Sequence, residues 1–367
     1  MRIDRVEAIP FSIPLLIESR WGAHGRRNAQ EHVLVRVHGA SGAVGVAEAT
    51  PRPTIYGETQ ASIAHVIARH FGPMLEGANP LDREGYWARF ESIPWNPTAK
   101  GALDIAVHDL IAQELGVPLA ELLGGQVRPV PISYLLALGE TDDLLKEGMG
   151  VRERYGVTAF KIKAGQHPAQ DIERFRLLRE AFGPDAFLFI DANQLYTPEV
   201  AIRTINAMAE HGLAMAEEPV PVHLGAWRKK VADAIPVPLL ADDSAFSLVD
   251  VRRELQAGAI GVVGIKTPRT GLHQSLKIVH LAQAHGLPCW VGSQGVSGVG
   301  TLASAHFHAA ASQAIPFPAD LGNFLKQADD LLDPPVDLRD GKIHLPEGPG
   351  MGAHISEEKL ARFRVQL

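Results

Sequence analysis

From about residue 130 onward the chain alternates short apolar runs with longer stretches whose apolar residues recur at helical spacing. The strand-like runs are Pro131 to Leu136, Thr158 to Lys163, Phe187 to Asp191, Leu213 to Glu217, Val237 to Asp242, Gly261 to Lys266, Pro288 to Gly292 and, more weakly, Ala314 to Pro318. Ala169 to Phe182, Pro198 to His211 and His273 to His285 are among the helical stretches between them. Strand and helix alternating every 25 residues or so predict parallel βαβ units. Eight such runs predict a closed barrel, with an open doubly wound sheet as the alternative.

The first ~125 residues follow a different pattern. Ile3 to Ile13 and His32 to Glu48 alternate like antiparallel strands, the second interrupted by a turn at Gly39 to Gly42. Asn96-Pro97-Thr98 opens a helical run through Leu115, which Gly116 and Pro118 end. A separate α+β domain packed over the barrel is expected.

Side chains at i and i+2 of a strand share a face. Phe160 and Ile162 should therefore face the helices while Lys161 and Lys163 face the barrel interior, where two ammonium groups are costly unless anions meet them. The same parity turns Asp191 inward with Phe187 and Phe189, Glu217 with Met215, Asp242 with Leu240, and Lys266 with Val262 and Gly264. Each polar residue ends its strand, on the face where barrel enzymes keep their active sites.

A single acid at such a position would read as a helix cap in a βα loop. Three on successive strand ends, flanked by lysines, make an oxygen-rich cup suited to Mg²⁺, with Mn²⁺ as the alternative. Zinc is disfavoured because no His or Cys stands there. A metal on a substrate carboxylate would stabilise the enolate formed as an α-proton leaves. A lysine beside another cation is suited to act as a base near neutral pH. Lys163, next to Lys161, is that candidate, with Lys161 as a carboxylate contact and Lys266 reaching the other face of the enolate.

Composition narrows the partners. Apolar residues at 46% and charged ones at 21% describe an ordinary globular chain, and a net charge of −7 gives no basic footprint for nucleic acid or an anionic membrane. The lone Cys289 fits a small core residue in a reducing compartment. Met-Arg-Ile-Asp-Arg-Val-Glu lacks an apolar segment of signal-peptide length, and no run reaches the ~20 residues of a membrane helix. A cytoplasmic enzyme acting on a small-molecule carboxylate is the expectation.

The motifs Phe160-Lys-Ile-Lys-Ala164, Asp191-Ala-Asn193, Glu217-Glu-Pro219, Ala241-Asp-Asp-Ser244 and Ile265-Lys266 resemble those of the enolase superfamily, within it the muconate lactonizing enzyme subgroup. Gly45-Val-Ala-Glu-Ala49, Tyr56-Gly-Glu-Thr59, Leu122-Leu-Gly-Gly125 and Pro349-Gly-Met-Gly352 extend the resemblance over nearly the whole chain. It implies a (β/α)7β barrel, a modified TIM barrel, with an α+β capping domain. The division expected is 1–127 for the cap, 128–320 for the barrel and 321–367 for a segment completing both.

By position it implies Asp191, Glu217 and Asp242 as metal ligands, Lys163 and Lys266 as the acid/base pair, and Glu218 and Asp243 as residues orienting the ligands or Lys266. Lys161, Asn193, Tyr56, Ser293, Gln294 and Asp320 are the candidate substrate contacts. Pro51-Arg-Pro53, Ile265-Lys-Thr-Pro-Arg-Thr-Gly271 and Leu321-Gly-Asn-Phe324 point to muconate cycloisomerisation, with racemisation or epimerisation of N-acyl amino acids, dipeptides or proline derivatives as the rival. Asp320 stands where the muconate enzymes carry Glu, and the absence of an Asp-x-Asp pair there counts against dipeptides. Capping loops at 17–27 and 50–59 are expected to close the site, with Arg20, Arg26, Arg27, Arg52 and Arg269 as available cations and Trp21 as a packing residue. The resemblance further implies a homo-oligomer.

Overall fold

The computed structural model describes residues 1–21 and 25–367, and their side chains except at 17, 19–21 and 25–27. The side chains of Arg20, Trp21, Arg26 and Arg27 thus lie outside the described residues. The N-terminal half of the chain opens with an antiparallel sheet of β1 (Ile3–Trp21), β2 (Gly25–Gly39) and β3 (Val44–Ala49), in that order. The expected loop at 17–27 is in fact strand on both sides of residues 22–24.

Alternation explains which face of this sheet is buried. Phe11 and Ile13 on β1 and Val33, Val35 and Val37 on β2 all point into the core. The helix Pro97–Leu115 covers that face. It begins at the predicted proline and ends where Gly116, at φ 71°, takes the left-handed turn. Gly45 lets the helix close on β3, because a Cβ there would stand 2.0 Å from the Ala106 carbonyl oxygen.

The remaining strands are β4 (Val130–Pro131), β5 (Ser133–Leu136), β6 (Ala159–Lys163), β7 (Phe187–Asp191), β8 (Ala216–Glu217), β9 (Leu239–Ala241), β10 (Val262–Ile265), β11 (Cys289–Val291), β12 (Asp337–Arg339) and β13 (Lys342–His344). β5 to β11 form one curled parallel sheet in chain order, each strand followed by a helix. The expected helices appear as Pro168–Phe182, Pro198–Ala209 and Thr267–Ala284, the last broken at Gly271.

The eighth apolar run is not a strand. Its prolines, Pro316 and Pro318, carry no N–H to donate to a ladder. Ala319 and Asp320 nevertheless reach both sheet edges. Ser133 N donates to Ala319 O at 2.7 Å beside β5, and Asp320 N donates to Val291 O at 2.9 Å on β11.

The C-terminal segment returns to both parts of the chain. β12 pairs with β13 and β13 with β4, and Val365 N donates to Pro10 O of β1 at 2.9 Å. Among the described residues, no helix is long and apolar enough to cross a membrane.

Candidate active site

The parity argument can be checked against what packs inside the curled sheet. Phe189, Met215, Leu240, Val262 and Trp290 form a small buried cluster there, with Phe187 and Phe317 at its edge. Phe160 and Ile162 belong instead to the larger core between sheet and helices, where Phe160 stacks on Phe182 at 4.2 Å. The residues that end these strands inward are therefore carried above an apolar plug, at the C-terminal ends.

Lys161 is the centre of that layer. Its Nζ lies 2.9 Å from Oε1 and 2.7 Å from Oε2 of Glu217, 3.2 Å from Oδ2 of Asp191 and 3.5 Å from Oδ2 of Asp320. Trp290 lies beneath it, ring centroid 5.0 Å away. Burial works against the ammonium, but Glu217, Asp191 and Asp320 outweigh it and raise the pKa well above that of a free lysine. This lysine stays a cation at any working pH.

Lys163 sits beside it at the end of β6, donating to Oδ2 of Asp191 and Oδ1 of Asn193, both at 2.6 Å. Asn193 is held there by its own N–H on Oδ1 of Asp191 at 3.0 Å, with φ at 44°. Four strands away, at the end of β10, Lys266 donates to Oδ2 of Asp242 at 2.5 Å. Burial lowers the Lys266 pKa and Asp242 raises it, with a net upward shift.

The three acids differ although their positions correspond. Burial would raise the Asp191 pKa, but Lys163 and Lys161 hold it down at about 2. Asp242 is likewise held low against burial, by Lys266 and Arg269. Glu217 is pushed well up by burial and by the charge of Asp191, against the pull of Lys161. The cup thus contains more negative charge than its lysines relieve at Glu217.

That donor set, three fully buried carboxylates on adjacent strands with Glu217 short of compensation, fits a hard divalent cation in chemistry and place. The side chains do not converge on one point. Among the described residues, no three His, Cys, Asp or Glu gather closely enough to hold a metal ion. The reason is visible in the ion pairs, since Asp191 and Glu217 turn to Lys161 and Lys163 while Asp242 turns to Lys266.

The residues behind the cup depart from expectation in one respect. Glu218 does orient a candidate ligand, accepting the Asp242 N–H at 2.7 Å and the Ser244 N–H at 2.9 Å. Asp243 is bound by Gln194 Nε2 at 2.7 Å, with no hydrogen bond to Lys266. Arg228, which the sequence reading did not single out, is buried behind them and donates to Glu218 at 2.6 Å and Glu254 at 3.1 Å. Its i+10 spacing from Glu218 carries no periodic signal that could have revealed it.

The loop after β11 supplies Ser293 and Gln294. Ser293 accepts the Gly295 N–H at 3.0 Å, so its hydroxyl serves the turn. Gln294 Nε2 donates to the Tyr56 hydroxyl at 2.8 Å, bringing the 50–59 segment onto the barrel. The buried Oδ1 of Asp320 and Oε1 of Gln294 have no hydrogen-bond partner, so two acceptors stand ready at the rim.

Two family models match the chain: "Mandelate racemase / muconate lactonizing enzyme, N-terminal domain" over residues 17–124 and "Enolase C-terminal domain-like" over residues 143–359. Muconate cycloisomerase 1 of Rhodococcus opacus is 31% identical, with 98% of each chain aligned. L-Ala-D/L-Glu epimerase of Clostridium acetobutylicum is also 31% identical, over 89% of this chain and 91% of the epimerase. A crystal structure of the muconate lactonizing enzyme from Mycobacterium smegmatis in complex with muconolactone superposes with a TM-score of 0.96 at 38% identity, covering 100% of both chains.

Proposed function

Because the chain belongs to the mandelate racemase/muconate lactonizing enzyme family of the enolase superfamily, we propose that it is an isomerase of the muconate cycloisomerase type, working through lysine acid/base chemistry and a divalent metal. The observation that carries this reading is the layer of Lys161, Asp191 and Glu217 flanked by two lysines, Lys163 and Lys266, each poised on a different carboxylate.

In this reading the scaffold is a (β/α)7β barrel, completed by the segment at Ala319 and Asp320 and capped by residues 1–127. The barrel occupies 128–320, and 321–367 serves both parts. Asp191, Glu217 and Asp242 would hold Mg²⁺, with Mn²⁺ as the alternative. When bound, the ion supplies Lewis-acid stabilisation of negative charge on the substrate carboxylate.

The remaining steps belong to the chain. Lys161, fixed as a cation, draws one carboxylate of cis,cis-muconate to the layer. The other carboxylate adds across the diene, forming the ring C–O bond and leaving an anion delocalised onto the first. Lys163 delivers a proton to the α-carbon, giving muconolactone. Lys266 balances charge from the opposite side. Asp320, Gln294 and Tyr56 border the distal part of the substrate.

A second reading, racemisation or epimerisation of an N-acylated amino acid, dipeptide or proline derivative, has a specific support. Lys163 and Lys266 end strands four places apart, as two-faced proton transfer requires, and the curated epimerase is as similar as the cycloisomerase. Loss of the conjugated-diene absorbance of cis,cis-muconate with Mg²⁺ present, abolished by a chelator, tests the first reading. No loss of absorbance, together with α-proton exchange in an N-acyl amino acid, selects the second.

A further inference from the structure

Arg269 follows Lys266 by three residues, in the turn before the break at Gly271. Its side chain has 0% exposure, unusual for the residue type, and its Nε is buried without a hydrogen-bond partner. Nη1 donates to Oδ1 of Asp242 at 3.2 Å and to the Asp242 carbonyl at 3.3 Å. Nη2 donates to the Ala245 carbonyl at 2.9 Å, and the guanidinium stands 4.8 Å over the Phe246 ring. Oδ2 of the same Asp242 is taken by Lys266. The two oxygens of Asp242 are thus divided between Lys266 and a fixed arginine.

The other side of this arrangement is the capping segment. Tyr56 meets Phe246 edge-on at 5.1 Å and accepts from Gln294, so Tyr56 and the Arg269 guanidinium pack on the same Phe246 ring. The segment around it is hydrogen-bonded within itself and to the capping helix. Arg52 N donates to Glu58 O at 3.0 Å and Tyr56 N to Arg52 O at 2.8 Å, while Glu58 caps the helix Pro97–Leu115 through Thr98 N at 2.9 Å and Ala99 N at 3.1 Å. The tip of a compact turn therefore shares the Phe246 ring with the residue that braces a candidate metal ligand.

We propose that Arg269 is a positioning residue that ties closure of the Tyr56 segment to the orientation of Asp242, an inference that rests on the reading of Asp242 given above. The planar guanidinium satisfies a carboxylate, two carbonyls and an aromatic face in fixed directions at once, which a lysine ammonium on a flexible stem does not. Removing the anion from Asp242 leaves the guanidinium without its counter-charge and loosens its hold on Phe246 and, through that ring, on Tyr56. Opening the Tyr56 segment in turn frees Asp242. The coupling is reciprocal by linkage, and an ordinary coupling energy corresponds to a change of about 5- to 150-fold.

The test is amide hydrogen exchange of residues 50–59 in the full chain, with the helix Pro97–Leu115 as internal reference, alongside Mg²⁺ affinity by calorimetry. Arg269→Lys and Asp242→Asn should each speed exchange at 50–59 by about fivefold or more while leaving the helix unchanged. Tyr56→Phe should weaken Mg²⁺ binding by about tenfold, although Tyr56 is no ligand, and should add little in the Arg269→Lys background. Wild-type exchange at 50–59 in Asp242→Asn, or Tyr56→Phe and Arg269→Lys effects on Mg²⁺ that simply multiply, overturns the proposal. A wild-type protein that takes up no Mg²⁺ refutes the ligand reading instead, and the exchange measurement still decides the coupling.

Discussion

The ammonium of Lys266 lies 2.5 Å from Oδ2 of Asp242, so a candidate proton carrier and a candidate metal ligand form one buried pair. Its counterpart across the sheet is Lys163 on Asp191, with Lys161 between.

If the reaction is cycloisomerisation, Lys163→Ala lowers kcat by about 10²- to 10⁴-fold, the usual worth of a general acid. Lys266→Ala retains measurable turnover, because that lysine contributes charge only. Steady-state kinetics with cis,cis-muconate distinguish this from the racemase, in which either substitution is fatal.

Burial and Asp191 push the Glu217 pKa up despite Lys161, so a divalent cation should stabilise the fold as well as the reaction. At a hundredfold excess over Kd, Mg²⁺ adds about 2.7 kcal/mol, read as a rise in Tm. Glu217→Gln abolishes that rise. The same rise in the variant would remove Glu217 from the ligand set.

The parity of β6 to β10 made this layer legible in the chain, because a period of two leaves no choice once Phe160, Phe189 and Met215 are assigned to a side. The helix at Pro97 was equally plain from its proline and closing glycine. Less was legible where structure depends on partners distant in sequence. The eighth run reads as a strand by apolarity, yet Pro316 and Pro318 reduce its pairing to the residues around Ala319. Arg228 and the Ser297 hydroxyl on Glu48 join residues that no local pattern relates.

Glu48 gives a pH prediction remote from the cup. Burial would raise its pKa, but His32, 2.7 Å away, and Ser297 bring it down to about 2. A folded-state value below the ordinary one contributes stability that is complete above about pH 4.5 and is lost as pH falls through 2. The shift is worth about 3 kcal/mol at neutral pH. In urea titrations Glu48→Gln should be less stable than wild type by that order at pH 7, with the gap shrinking to about 1 kcal/mol at pH 3.

Arg228 is 1% exposed and ion-paired to Glu218 and Glu254. Arg228→Met leaves the buried Glu218 without its cation and Glu254 to Arg253 at 3.6 Å, and should cost about 3–5 kcal/mol. Since Glu218 holds the Asp242 and Ser244 N–H groups, Mg²⁺ affinity should fall with stability in this variant, which calorimetry on the folded fraction would show.

In the proposed reaction this layer generates an anion on a substrate carboxylate and Lys163 quenches it with a proton. Proton NMR of the protein with Mg²⁺ and cis,cis-muconate in D₂O tests it most directly. Muconolactone carrying a single deuterium at the methylene carbon is the expected product, with none formed by Lys163→Ala. A folded, metal-loaded protein that leaves muconate untouched while exchanging the α-proton of an N-acyl amino acid would contradict it.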